Sequence, residues 1–158
     1  MKFAAAILAG ALALLSACAS TPAKTAGHPT GPCSLVIHLK GLSPAPGSGP
    51  VPIAVWSSPQ TFMQRGKWYE TREVAADAVA SPVRIDGLEP GTYAVSAFHD
   101  VARTGTLRRG MLGIPADPWA VSGMTSALAP PTWSRACFEV KPGVNELTLQ
   151  FMGGSRTP

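Results

Sequence analysis

The chain has 158 residues, of which 46% are hydrophobic and only 14% charged, with 16 Gly, 16 Pro and 3 Cys. That much apolar side chain excludes a disordered chain, and the length suits a single domain. Abundant Gly and Pro disfavour long helices and suit short strands joined by turns, while a formal charge of +4 is only a weak bias toward anionic partners.

Lys2 precedes an unbroken apolar run from Phe3 to Leu15. A basic residue before a short apolar run is the layout of a secretory signal, and the run falls short of the roughly 20 residues a membrane span needs. Residues 1–17 are therefore expected to be a signal peptide. The run closes with Leu15-Ser16-Ala17-Cys18, which resembles the lipobox of bacterial lipoproteins, where the cysteine receives diacylglycerol before cleavage. Cys18 would then be the lipidated N-terminus, with the membrane as a partner through its acyl chains. Ala19, where an aspartate would signal retention in the inner membrane, points to a cell-envelope address at the outer membrane, facing the periplasm. The alternative is an ordinary signal cut near Ala17 or Ala19 beside an incidental cysteine.

Residues 18–32 are small, polar and proline-punctuated, as expected of a flexible tether, and residues 154–158 read as a tail. The domain is expected to span 33–153. Cys33 and Cys137 form an even pair in an oxidising compartment and predict a disulfide, since neither has a cysteine or histidine nearby at a reactive spacing. Arg103, Arg108 and Arg109 form the nearest thing to a basic cluster, but no aromatics are interleaved to stack on bases, so nucleic acid is not an expected partner.

Within the domain, Leu35, Ile37 and Leu39 alternate with Val36, His38 and Lys40, which predicts a strand over 34–42 with His38 on its polar face. Pro44–Pro50 reads as a turn and Val51–Trp56 as a second strand, with Pro52 near its start. Ser57–Ala80 is ambiguous. Phe62, Met63, Trp68 and Tyr69 fit either a helical turn or a loop, and Thr71–Val79 reads best as a strand. Val83–Ile85 alternates again, and Leu88-Glu89-Pro90-Gly91-Thr92-Tyr93 leads into a largely apolar strand through Asp100. Val101–Arg135 reads as one long loop broken by Gly and Pro, either functional or held down by Trp119 and Trp133. Ala136–Lys141, a Pro142-Gly143 turn and Asn145–Phe151 predict a closing hairpin.

The Leu-x-Pro-Gly-x-Tyr turn resembles that of transthyretin-like and carboxypeptidase-regulatory β-sandwiches, in which the tyrosine packs its ring and bonds its hydroxyl to nearby backbone. The expected fold is therefore an all-β, immunoglobulin-like or transthyretin-like β-sandwich with one long loop. Pro90-Gly91-Thr92-Tyr93-Ala94, His99-Asp100, Gly113-Ile114-Pro115 with Asp117, Trp119 with Ser122, Pro130-Pro131 and the final strands also follow in the order found in a bacterial exported family, domain of unknown function 2141. That resemblance implies a β-sandwich and leaves activity open. Where the family usually carries Asp and Asn around a glycine after His-Asp, this chain has Val101-Ala102-Arg103-Thr104-Gly105-Thr106-Leu107-Arg108-Arg109. Oxygen ligands for a hard cation are replaced by arginines, so no metal site and no cofactor is expected. An arginine could instead neutralise Asp100 or Asp117 directly.

His99 and Asp100 are adjacent on a strand, so they point to opposite faces and cannot act as an acid–base pair through that adjacency. No catalytic residue and no enzyme is expected. The leading expectation is a non-catalytic interaction or structural module with an envelope protein or a glycan as partner. The alternative is a site for a glycan or peptidoglycan fragment in the 101–135 loop, built from His99, Asp100, Arg103, Arg108, Arg109, Asp117, Trp119 and Trp133. Exposed tryptophans would favour the binding site, and buried ones the structural module.

Overall fold

A computed structural model describes residues 31–153. The expected leader 1–17, Cys18, the tether up to residue 30 and the tail 154–158 lie outside the described residues. The described residues fold into eight strands: β1 (Cys33–Lys40), β2 (Val51–Trp56), β3 (Glu70–Val74), β4 (Val83–Leu88), β5 (Gly91–Phe98), β6 (Trp119–Val121), β7 (Phe138–Val140) and β8 (Gly143–Gln150). A four-residue helix, α1 (Trp133–Ala136), precedes β7.

The first sheet has the order β4-β1-β8, with β1 antiparallel to β4 and parallel to β8. The second runs β3-β2-β5-β6, and β7 pairs with the first three residues of β5 while β6 pairs with its last three. Alternation explains how they stack. Leu35 and Ile37 of β1, Ile85 of β4 and Leu149 of β8 face Val51, Ile53 and Val55 of β2 and Val95 of β5, forming one dry core between the sheets. The chain is thus an all-β sandwich. Among the described residues every strand and both apolar clusters lie within 33–152, so this segment carries its own core.

The Tyr93 corner forms as expected: its hydroxyl donates to the Glu89 carbonyl at 2.9 Å and its ring meets Tyr69 edge to face. Burial and the neighbouring Tyr69 push the Tyr93 phenol well above its ordinary pKa.

Four expectations are corrected. Cys33 and Cys137 are separate free thiols rather than a disulfide, the first buried at the start of β1 and the second half-buried at the C-cap of α1. Burial and Glu89 push the Cys33 thiol pKa up. The final strands do not form a hairpin: the Pro142-Gly143 turn carries the chain from one sheet to the other, so β7 pairs with β5 and β8 with β1. Val101–Arg135 is not irregular throughout, since β6 extends the second sheet and α1 follows it. All three residues of β6 are buried, so it shows none of the alternation that would mark it in the sequence. Thr71–Val79 is a strand only to Val74 and then a 3-10 turn over Ala76–Ala78.

Candidate functional site

Ala54 and Trp56 on β2, Ala94 and Phe98 on β5, and Trp119 and Val121 on β6 form a second apolar cluster on the face of the second sheet turned away from the core. Two connections roof this face. Residues 57–69, between β2 and β3, contribute Phe62, and residues 99–118, between β5 and β6, contribute Leu107. Aromatic contacts run edge to face from Trp68 to Trp56 (6.5 Å), on to Phe62 (6.1 Å) and then to Trp133 (5.7 Å), fixing the first connection and α1 to the sheet.

Both roofs line one cavity. Between them lies an open cleft of about 670 Å³ whose floor includes Pro52, Ala54 and Phe98 and whose walls include Met63 and Trp68 on one side and Leu107 on the other. Ser96 on the floor already accepts the Trp56 indole N–H at 2.9 Å. Met63 holds a left-handed backbone (φ 61°), a conformation that costs energy for a non-glycine residue and that concentrates at ligand-binding and switch positions.

The expected site residues separate into two groups. Trp119, Arg109 and Asp100 reach the cleft. The others lock the long connection in place. Arg108 clamps Asp117, whose carboxylate is fully buried, through Nε and Nη2 to Oδ1 at 3.0 and 2.5 Å, while the Arg108 backbone N–H donates to Oδ2 at 2.9 Å. An arginine therefore does neutralise Asp117, and those hydrogen bonds raise the Arg108 pKa further. Asp100 is held differently. Its oxygens accept the N–H groups of Thr104 (2.8 Å) and Gly105 (2.6 Å) and the Thr104 hydroxyl. Burial alone would raise this carboxyl, but the donors from Gly105 and Thr104 outweigh it and hold its pKa below the ordinary value.

His99 is buried and its Nε2 lies 3.2 Å from the Ser48 hydroxyl. Arg103, in a left-handed conformation (φ 54°), donates to the carbonyls of Gly47 and Ser48. These contacts pin the Pro44–Pro50 turn beneath the long connection, and the approach is so close that a Cβ on Gly49 would lie 1.7 Å from the Asp100 carbonyl oxygen. Trp119 is buried and Trp133 half-buried, so neither offers an open stacking face. The exposed tryptophan is Trp68, with 42% of its surface accessible. Sequence reasoning missed the wall made by Met63, Arg65 and Trp68. The available signal was the density of aromatics between β2 and β3, in a stretch whose structure the periodicity left open.

Among the described residues no group of three or more His, Cys, Asp or Glu is placed to hold a metal ion. No curated protein and no solved structure matches the chain. A family model does match residues 37–148, spanning β1 to β8 and therefore both sheets and both walls of the cleft. The chain thus belongs to the family described as an uncharacterized protein conserved in bacteria, DUF2141.

Proposed function

We propose that the chain is an exported envelope lipoprotein, anchored through Cys18 at the outer membrane, whose sandwich is a non-catalytic module that binds a small envelope ligand. The observation that carries the binding reading is the cleft: about 670 Å³, apolar at its floor and open to solvent between two roofs. Ligand sites of roughly 300–1,000 Å³ with a mostly apolar lining and a few polar groups are the common pattern. His99 and Asp100 support a non-catalytic role, because the first is spent on Ser48 and the second on the amides of Thr104 and Gly105. The signal layout and the Leu15–Cys18 motif support the address. The tyrosine corner supports placing the sandwich in the immunoglobulin-like or transthyretin-like class.

A purely structural or protein-docking module is the second reading, favoured by the burial of Trp119. A thermal-shift screen of residues 19–158 against peptidoglycan fragments, oligosaccharides, lipid headgroups and single-chain amphiphiles separates the two. A ligand at 100 times its Kd stabilises by about 2.7 kcal/mol, and the shift should disappear in Trp68→Ala. No shift across the panel would leave the structural reading. Labelled palmitate should enter the wild type in cells and not Cys18→Ala; equal labelling of both would remove the anchor.

A further inference from the structure

We infer, resting on the cleft as a ligand site, that its occupant is a single-chain anionic amphiphile, a monomer with one alkyl chain and a carboxylate or phosphate head. The floor argues for the chain. Pro52, Ala54 and Phe98 offer no side-chain hydrogen bond, and Ser96 is already engaged by Trp56. A sugar would find partners only in Thr71, Thr106 and the charged side chains of the lining and none on this floor, whereas an alkyl chain needs none. The walls suit a flexible chain: Met63 is unbranched and adaptable, and it stands with Trp68 on one side, each 42% exposed, facing Leu107 on the other.

The rim argues for the anion. Arg65 and Arg109 line the cleft, one from each roof, and both are exposed. Arg72, Arg84 and Arg108 each pair with a carboxylate, but no ion pair among the described residues includes Arg65 or Arg109. Arg109 donates only to the neutral Gly113 carbonyl. Two carboxylates also reach the cleft. Asp100 is occupied by its amide donors, while Glu73 lies on β3 opposite Pro52 and repels an anionic head from that end, leaving the arginines as its place.

The test is calorimetric titration of residues 19–158, free of detergent, with dodecanoate and with dodecyl maltoside below their micelle concentrations, with a disaccharide peptidoglycan fragment, and with phosphatidylglycerol vesicles. Dodecanoate should bind about tenfold more tightly than the neutral maltoside, as expected for charge-assisted contacts to a guanidinium. Arg65→Gln with Arg109→Gln should remove that preference and leave maltoside binding unchanged, with an unaltered melting curve showing that both exposed replacements fold. Equal affinity for the two alkyl probes, or vesicle binding without dodecanoate binding, would overturn the inference. Binding of the peptidoglycan fragment alone would overturn it while leaving the cleft as a ligand site. Silence from every probe would remove both.

Discussion

The outer faces of the two sheets differ in kind. On the first sheet, Arg84 bridges Ser34 and Asp86 at 2.7 Å to each, and His38 stands 3.8 Å from Glu146. These groups face solvent and need no cover. On the second sheet the equivalent positions are Ala54, Trp56, Phe98 and Trp119, which must be covered, and the cover comes from two connections rather than a third layer. Two loops arriving from opposite sides close an apolar face imperfectly, and the gap between them is the cleft. Stability and the proposed ligand binding are therefore coupled on the second face and independent on the first.

The largest expected effect is Trp56→Ala, which removes the hub of the aromatic contacts and should cost about 3–5 kcal/mol in denaturant unfolding. A loss no greater than that of an exposed residue would mean the outer face is not a true second core. Asp117→Asn should cost about 2 kcal/mol, because it weakens hydrogen bonds to a charged group that is fully buried. Tyr93→Phe deletes the bond to the Glu89 carbonyl and should cost about 1 kcal/mol. The high pKa of that phenol adds a pH dependence. The folded state keeps its proton while the unfolded phenol ionises near pH 10, so stability should fall above that pH in the wild type and not in Tyr93→Phe.

Asp100 acts at the opposite end of the scale. Its folded carboxyl lies below the ordinary value of about 3.9, so its contribution is present above that pH and is lost as pH falls through the folded value. Acid unfolding curves should accordingly be less steep for Asp100→Asn than for the wild type. Smallest of all, Arg84→Ala on the solvated first sheet should leave the unfolding midpoint essentially in place, since exposed ion pairs contribute little. A clear loss there would show that the two outer faces are more alike than their composition indicates.

The difference between the faces was partly visible in the sequence. Ser34, Val36, His38 and Lys40 alternating with apolar residues predict one solvated face on β1, and that is what forms. Ala94-Val95-Ser96-Ala97-Phe98 is apolar on both sides, which marks β5 as covered twice without saying by what. The Leu-x-Pro-Gly-x-Tyr corner was legible because its hydrogen bond closes within four residues. The clamp of Arg108 on Asp117 could be foreseen as an exchange of arginine for oxygen ligands, because the two lie nine residues apart. The cleft could not. Its walls come from segments some forty residues apart whose conformations obey no period, and β6 is too short for its burial on every side to register as a pattern. The hairpin failed because a Pro-Gly turn says nothing about which sheet each flanking strand joins, and the disulfide because an even number of cysteines says nothing about where the fold places them.

The central claim, that the cleft holds a ligand, is most directly tested through the four tryptophans. Trp56, Trp68 and Trp119 line the cleft, whereas Trp133 lies behind Phe62 and away from its lining. In a two-dimensional nitrogen–proton NMR titration of residues 19–158 with dodecanoate, the indole signals of the first three should shift saturably while that of Trp133 stays within its starting linewidth. Four unmoved indoles, or a shift confined to Trp133, would contradict the account.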